Sequence, residues 1–430
     1  MGESGKRKSL KGFYKITFLI GLGFFTMGLM DPLYDSFVPL FLRKYISSKG
    51  VIGSIMTLDN IFALFLIPIV SAISDKTNTP IGRRMPYIIV TLPLTAFFFS
   101  LIPFAALKSL AFLIVVLFLL NIFKQAARGP VVALMPDTIP GDYRSEANGV
   151  INTMGGIAAI VGTVGLSKLM DVNINLPVIG NTKDKLPFVI SGILVVIAVI
   201  LLFLFVKEKQ KAESDEEREP IFKSLKLVFS AKEKSAMLIL ISLFIWFLGY
   251  QGILPFITMY AVDYIGVTKG VAGISPGMVA IAYALFAIPS GIVAHKIGRK
   301  KTIRFSLIML VIIILLLFFH KPITEYFNLT QSLSILTFWV ILFFFGIFWV
   351  SIITNSFPML WQMATYNNMG IYTGLYYFFS QAAAIISPPI TGFLIDFFGF
   401  RSIYIFGSLC MFFAFITMAF VKKGEVTDLN

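Results

Sequence analysis

The chain has 430 residues, of which 57% are hydrophobic and 13% are Asp, Glu, Lys or Arg, against about 25% charged residues in soluble domains. This composition excludes a soluble globular protein and predicts that lipid is the main solvent of the folded chain. The net charge of +14 does not indicate a nucleic-acid partner, because the basic residues stand in short segments between apolar runs. The single cysteine, Cys410, excludes an intramolecular disulfide.

A membrane-crossing helix needs about 20 predominantly apolar residues, and the sequence contains twelve such runs. The runs are continuous and do not alternate apolar with polar residues, which predicts helices and not a barrel. We therefore predict an all-α polytopic membrane protein with spans at residues 13–42, 51–73, 86–106, 110–135, 146–169, 186–206, 236–262, 271–294, 303–320, 332–360, 368–394 and 400–421.

The distribution of Lys and Arg predicts the orientation of these spans. Most basic residues between spans fall in segments that share one side of the membrane when the N-terminus is cytoplasmic, which predicts cytoplasmic termini in a multi-pass plasma (inner) membrane protein. The basic N-terminal stretch is interpreted as a cytoplasmic tail and not as a signal peptide. The long charged segment 207–235 predicts a cytoplasmic linker between two six-helix bundles, residues 1–206 and 236–430.

Five ionisable residues lie inside predicted spans of the first half, namely Asp31 and Asp35 in span 1, Asp59 in span 2, and Lys124 and Arg128 in span 4. An ionisable side chain at bilayer depth costs about 2.5–3.5 kcal/mol on insertion scales, so such residues usually mark a substrate or proton path. At the rise of an α-helix, Asp59 and Arg128 both fall near mid-membrane, and Lys124 lies one turn from Arg128.

Carboxylates and guanidinium groups suit the binding of sugar hydroxyls, and a buried carboxylate near an arginine can carry a proton. We predict Asp59 as the proton-coupling acid, followed by Asp31, with Arg128 as the basic partner. Two alternatives stay open. Asp31 and Asp35 can lie in an outer vestibule, and Asp59 with Arg128 can form a structural buried ion pair.

The predicted substrate site contains these five charged residues together with uncharged polar and aromatic side chains. Aromatic rings can stack on sugar rings and amides can bind hydroxyls, although aromatic residues near span ends often form the interfacial belt instead. The uncharged candidates are Asn60, Tyr250, Gln251, Asn355, Trp361, Tyr376 and Gln381.

A basic loop occurs twice. SAISDKTNTPIGRRMPYI covers residues 71–88 after the second span of the first half, and SGIVAHKIGRKKTI covers residues 290–303 after the second span of the second half. His295 stands where the first copy has Asp75, which predicts a weaker cluster in the second copy. So long a repeat in a twelve-span chain predicts two homologous halves.

These motifs resemble the signature loop of the major facilitator superfamily, and the resemblance covers the whole chain. It implies two pseudo-symmetric six-helix bundles and a conformational latch that holds the halves in one state of the transport cycle. Asp137 and Arg144 resemble a second family loop, where we predict an ion pair on the cytoplasmic face. A purely topological role for the basic loops stays open. The predicted latch residues are Asp75, Gly82, Arg83, Arg84, Asp137, Arg144, Gly298 and Arg299.

The segment DKTNTPIGRRMPY also resembles the loop of sucrose transporters and of the related glycoside–pentoside–hexuronide:cation symporters. Sodium-coupled members of that branch carry acids in span 2 where this chain has Ala63 and Ile67, so the resemblance favours protons. Plant-type sucrose carriers carry an arginine where this chain has Val132, so sucrose itself is not implied.

We therefore predict a proton-coupled symporter of a sugar or disaccharide-like glycoside that works by alternating access. The expected partners are a small-molecule substrate and the lipid bilayer, with no cofactor, no metal and a monomeric state. The alternative is a proton-coupled exporter of small hydrophobic compounds, although charged spans favour a polar substrate. An enzyme is not predicted, because the sequence has no His/Cys metal set and no phosphate-binding loop.

Overall fold

The computed structural model describes residues 12–140, 143–177, 179–208, 233–363 and 369–424. Within these ranges, twelve helical segments are long and apolar enough to cross a membrane. They are numbered spans 1–12 in chain order and confirm the predicted all-α, twelve-span fold. Their bounds are Tyr14–Leu42, Lys49–Lys76, Met85–Lys108, Leu110–Thr138, Glu146–Asp171, Leu186–Phe205, Ser235–Ile265, Lys269–Ile297, Arg299–Tyr326, Gln331–Trp361, Ile371–Phe398 and Ser402–Ala419.

Several spans begin at residues that satisfy the free N–H groups of a first helical turn. The Ser109 hydroxyl accepts from the Phe112 N–H before span 4, and the Thr330 hydroxyl accepts from the Leu333 N–H before span 10. Ser and Thr are preferred at this position because a short side-chain oxygen replaces the missing intrahelical acceptor. These capping residues mark where the helices of spans 4 and 10 begin.

Spans 2 and 5 contain irregular helix. Span 2 consists of two helices, Lys49–Met56 and Leu58–Lys76. Span 5 runs as an α-helix over Arg144–Ile160, a π-helix over Val161–Leu166 and a 3₁₀-helix over Ser167–Asp171. Wide helical turns of this kind often occur at functional sites.

Spans 7 and 8 are also composite. In span 7 the α-helix Ser235–Tyr260 continues as a π-helix over Ala261–Ile265. Span 8 combines Lys269–Ala272 with Ser275–Ile297. The described strands form one small antiparallel pair, Asn175–Leu176 with Gly180–Asn181, between spans 5 and 6.

By its internal contacts the chain divides into two compact units. As far as the chain is described, the first unit comprises Met1–Val38 and Ile61–Ser214, and the second comprises Pro39–Asn60 and Asp215–Asn430.

In the first unit, spans 1 and 5 approach at backbone distance. A Cβ on Gly28 would lie 2.2 Å from the Gly155 carbonyl oxygen, and one on Gly162 would lie 2.9 Å from the Leu29 carbonyl oxygen. Only residues without a side chain allow this approach, which is the small-residue packing expected between membrane helices.

In the second unit, the start of span 2 packs on span 11. The Asp396 carboxylate accepts from the Ser48 hydroxyl (2.6 Å), the Lys49 N–H (2.8 Å) and the Gly50 N–H (3.0 Å). A Cβ on Gly53 would lie 2.3 Å from the Pro388 carbonyl oxygen. A carboxylate at a helix N-terminus is favourable because it meets free N–H groups and the positive end of the helix dipole.

An ion pair between Arg43 and Asp263 also joins residues 39–60 to the later part of the chain. For this reason residues 39–60 group with 215–430, whereas the predicted division into 1–206 and 236–430 assigned them to the first bundle. That division stays a prediction, and most of the predicted linker, residues 209–232, lies outside the described residues.

Candidate functional site

An ion pair joins spans 1 and 4 in the interior of the first unit. The Lys124 ammonium group donates to Asp31 Oδ1 at 3.0 Å. The Lys124 side chain is 6% exposed and the Asp31 side chain 33%. A charged pair inside a membrane protein is tolerated because each ion offsets part of the other's desolvation cost.

The pair lies far from the ends of its helices. Lys124 is the midpoint of span 4, with fourteen residues on either side, or about 21 Å of helix in each direction. Two of the five ionisable residues identified in the sequence, Asp31 and Lys124, are therefore in direct contact inside the spans.

The other charged candidates of spans 1 and 4 are half-buried. Arg128 lies within range of Coulombic attraction to the Asp31 carboxylate. Asp35 is one turn beyond Asp31 on span 1, so the two carboxylates share a helix face. Asp31 thus joins span 1 to span 4 through its contact with Lys124.

Asp59 and Asn60 occupy the first turn of the second helix of span 2. A helix N-terminus favours a nearby negative charge, because its free N–H groups carry partial positive charge. Both residues group with the second unit, whereas Arg128 groups with the first. The predicted pairing of Asp59 with Arg128 stays a prediction.

In the second unit, an aromatic cluster lies where spans 7 and 10 pack together. The rings of Tyr250 and Trp349 stack with centroids 3.9 Å apart and planes 4° apart. Phe247 meets Trp349 edge-on at 5.4 Å and Tyr376 of span 11 edge-on at 6.5 Å. Trp349 and Phe247 were missed in the sequence, because an aromatic residue inside an apolar run carries no local signal that separates stacking from core packing.

The remaining candidates of the second unit differ in their surroundings. The Tyr376 hydroxyl lies 3.2 Å from the Ser356 hydroxyl. Asn355 is buried and its amide donates to the Ser351 carbonyl at 2.8 Å, within its own helix. The Trp361 indole donates to Thr373 at 2.9 Å. The last two candidates, Gln251 and Gln381, are both half-buried.

The first basic loop forms a network of hydrogen-bonded ion pairs. Arg83 binds Asp137 through two nitrogens, at 2.9 and 2.6 Å, and Arg84 Nε donates to the same carboxylate at 2.8 Å. Arg84 also pairs with Asp75. From the sequence alone, Arg83 or the N-terminus of a neighbouring helix is the expected partner of Asp75, but the structure pairs Asp75 with Arg84. The hydrogen bonds that Arg83 donates to Asp137 raise the pKa of the Arg83 guanidinium, so this arginine stays charged at all physiological pH values.

Glu208 is a member of this network that the sequence did not reveal. It follows span 6, its side chain is fully buried, and its Oε2 accepts from the Arg84 N–H (2.8 Å) and the Met85 N–H (3.3 Å) at the start of span 3. Its other oxygen lies 3.7 Å from Arg83 Nε. In the sequence Glu208 stands at the edge of a mixed-charge segment, which predicts a solvated residue and not a buried one.

Arg144 does not take part as expected. The predicted ion pair with Asp137 is wrong, because Asp137 is taken up by the two arginines of the loop. Arg144 instead donates to the carbonyl oxygens of Pro136 (2.8 Å) and Ile139 (3.1 Å) at the end of span 4. Basic side chains commonly satisfy the free carbonyls of a last helical turn.

The second basic loop has the same turn but other contacts. Gly298 has φ 97°, close to φ 107° at Gly82. The Lys300 ammonium donates to the carbonyl oxygens of Ala419 (2.9 Å) and Val421 (2.5 Å) at the end of span 12.

Further basic residues lie in this loop or directly after it. The Arg304 guanidinium lies over the Phe415 ring at 4.6 Å, and His295 is exposed. Arg299, the counterpart of Arg83, lies in the first turn of span 9. No group of three metal-binding side chains occurs among the residues that the structure describes.

The sequence matches one protein family over nearly its whole length. The chain matches the family model described as Major Facilitator Superfamily over residues 18–383 and 239–428. No curated protein matches it.

Solved structures share its fold at low sequence identity. A bacterial homologue of the human lysosomal transporter Spinster has a TM-score of 0.73 at 14% identity, with 96% of this chain and 97% of that chain covered. A mutant of the nucleoside transporter NupG gives 0.73 at 12%, with 94% and 99% covered. A D-xylose–proton symporter gives 0.70 at 14%, with 96% and 98% covered.

Proposed function

The chain belongs to the major facilitator superfamily, and from that premise we propose that it is a proton-coupled symporter of a sugar or disaccharide-like glycoside. As a member of that family it is an integral multi-pass membrane transporter and not an enzyme. The observation that carries the proposal is the Asp31–Lys124 ion pair in the middle of the first unit.

The ion pair supplies a chemistry for coupling. With Asp31 charged, the pair is neutral and both ions are partly compensated. Protonation of Asp31 removes the attraction and frees its oxygens to exchange hydrogen bonds with a polar solute. Substrate binding would thus depend on whether Asp31 is charged or protonated. Such a dependence of substrate binding on proton binding is what symport requires.

A polyhydroxylated substrate fits this site better than a hydrophobic one. A carboxylate accepts two hydroxyl donors at once, and half-buried Asp35 and Arg128 lie on the same two spans. Within the second unit, Tyr250 and Trp349 form a stacked aromatic surface of the kind that packs on sugar rings. The resemblance of the loop to the glycoside–pentoside–hexuronide:cation symporters points the same way, and one protein of the same fold is a D-xylose–proton symporter.

The loop networks supply the conformational part of the cycle. In alternating access, one bundle moves against the other around a central site, and such a motion needs contacts that hold one state and release it. The network of Arg83, Arg84 and Asp137 is the latch we propose, with Glu208 as its additional acid. We further propose cytoplasmic termini, a plasma-membrane location, a monomeric state and the proton as the coupling ion.

Purified protein in liposomes tests the proposal. An inward proton gradient is imposed, and uptake of a panel of labelled disaccharides and glycosides is measured for the wild type, for Asp31→Asn and for Asp59→Asn. Glu325→Gln, an exposed carboxylate at the end of span 9, is the matched control.

Uptake that a protonophore abolishes and that Asp31→Asn loses, with Glu325→Gln unaffected, supports sugar–proton symport through Asp31. Loss in Asp59→Asn alone moves the coupling acid to span 2. Failure of every sugar to enter, together with expulsion of a hydrophobic dye, supports the exporter instead.

A further inference from the structure

Three buried side chains lie behind Asp31 and are here called the Asp31 brace: Tyr34, Asn121 and Lys124. Tyr34 is 1% exposed and Asn121 0%, and the Lys124 side chain is 6% exposed, against 33% for the Asp31 side chain. Asp31 is therefore the member of this group that a solute can reach. The brace acts on a solute only through Asp31.

Three contacts link the four side chains in series across spans 1 and 4. Asp31 and Tyr34 are three residues apart on one helix, as are Asn121 and Lys124 on the other, so each pair shares a helix face. The Asn121 amide donates to the Tyr34 hydroxyl at 3.1 Å. The Lys124 ammonium binds Asp31 and lies 4.9 Å from the centroid of the Tyr34 ring.

Each contact fixes the position of the side chain that makes the next contact. A lysine ends in a point charge on a flexible four-carbon stem, and an aromatic face attracts that charge more strongly where water is excluded. A buried tyrosine hydroxyl in turn needs a partner, which Asn121 provides. Asn121 therefore fixes the ring, and the ring fixes the ammonium group.

We propose that Tyr34 and Asn121 are positioning residues that hold Lys124 against Asp31 and so prevent the ion pair from opening without substrate. The inference rests on the proposed function, since it concerns the group assigned to the proton. When Asp31 is protonated, the Tyr34 face keeps the ammonium compensated. A loosened brace lets the empty carrier cycle with a proton, which dissipates the gradient.

Three variants separate the parts of the brace, and a fourth serves as the control. Tyr34→Phe keeps the ring and removes the hydroxyl, Asn121→Leu removes the donor, and Tyr34→Leu removes ring and hydroxyl together. The matched control is Gln125→Leu, an amide on span 4 that is 1% exposed and shares no hydrogen bond with the four residues in the described part of the chain.

The first measurement compares gradient-driven accumulation with equilibrium exchange of the sugar. Equilibrium exchange needs no net proton transfer, so a defect in coupling lowers accumulation and leaves exchange intact. Misfolding lowers both accumulation and exchange. We expect Tyr34→Leu to lose about tenfold in accumulation, within the range for residues of one hydrogen-bond network, and to keep exchange within about twofold. Tyr34→Phe and Asn121→Leu should show a smaller and equal loss that does not add in the double variant, because both remove the same hydrogen bond.

The second measurement needs no sugar. A hydrophobic carbodiimide labels carboxyl groups within the membrane, and peptide mass spectrometry follows the labelling of Asp31, with Asp31→Asn as the blank. Because Lys124 occupies the carboxylate, labelling should be slow in the wild type and in Gln125→Leu, and several-fold faster in Tyr34→Leu.

Equal labelling rates in Tyr34→Leu and the wild type overturn the inference, whether or not a sugar is transported. So do equal losses of accumulation and exchange in every variant, or the same defect in Gln125→Leu. A wild type that accumulates no sugar, combined with fast labelling in Tyr34→Leu, rejects the proposed function and retains the brace.

Discussion

The two basic loops are copies of one turn that hold their surroundings by different means. In both, a glycine with positive φ precedes an arginine, at Gly82 and at Gly298. In the first copy, acids from three separate segments converge on two arginines. In the second, Lys300 binds backbone carbonyls of one neighbouring helix end.

The difference shows that the two copies share the backbone turn but not the partners of their basic side chains. The turn needs a residue without a Cβ at this φ, so glycine is kept in both copies. The partners depend on which helix ends lie beside the loop. An ion-pair network responds steeply to loss of one member, because the other charges stay buried, whereas a lysine on carbonyls has no buried counter-charge to leave behind.

The largest effect is expected from Asp137→Asn. This carboxylate is 6% exposed and serves both arginines of the first loop. Removing the acid that the buried Arg84 and the partly buried Arg83 share costs about 3 kcal/mol. For a chain of 430 residues the melting temperature in detergent should therefore fall by roughly 3 °C. A fall no greater than that of Glu325→Gln would contradict the network description.

The two glycines offer a matched pair of variants. Both Gly82→Ala and Gly298→Ala place a Cβ at a positive φ, which costs about 1–2 kcal/mol. At Gly82 the added Cβ would also lie 2.2 Å from the Glu208 carboxylate, so Gly82→Ala should destabilise the protein more. Parallel melting curves measure the difference, and the reverse order would reject the packing of Glu208 on the turn.

Lys300→Met probes the second loop alone. It removes the donor to the Ala419 and Val421 carbonyls and should cost about 1 kcal/mol. Thermal unfolding should therefore shift less than with Asp137→Asn. Hydrogen exchange at the end of span 12 should rise, while the rest of span 12 keeps its protection. An equal loss in both variants would remove the contrast between the loops.

The smallest effect is expected from His295→Asp, which restores the acid of the first copy. His295 is exposed, and exposed substitutions usually change stability by less than about 0.5 kcal/mol. We expect an unchanged melting temperature and unchanged uptake at pH 6 and pH 8. A stabilisation of several degrees would mean that the second loop can form an ion-pair network when given an acid.

The sequence was sufficient for the twelve spans, because each apolar run is long enough by itself to require a membrane. It also located the turn residues of both loops, since glycine followed by arginine is a local signal. It did not predict that Arg84 binds Asp75 or that Glu208 joins the cluster. Those contacts depend on helix ends that are far apart in the chain and meet only after packing.

The same limit applies to the candidate site. Asp31 and Lys124 were identified as candidates because an ionisable side chain inside an apolar span is energetically unfavourable and is visible in the sequence. Tyr34 and Asn121 were missed, because an uncharged tyrosine or asparagine can lie inside a span at a small free-energy cost and so does not by itself indicate a functional role. The interruption of span 2 at Thr57 was missed as well, because neither glycine nor proline marks it.

The contact between Asp396 and the start of span 2 has a consequence for synthesis of the chain. The partners Lys49 and Asp396 are separated by 347 residues. At about 5–20 residues per second, roughly 17–70 s pass between their emergence from the ribosome. Throughout that interval the first turn of span 2 lacks the carboxylate that satisfies its N–H groups, so the nascent chain is open there to capture by membrane chaperones and proteases. Damage at Asp396 should therefore shorten the lifetime of newly made protein more than that of protein already assembled.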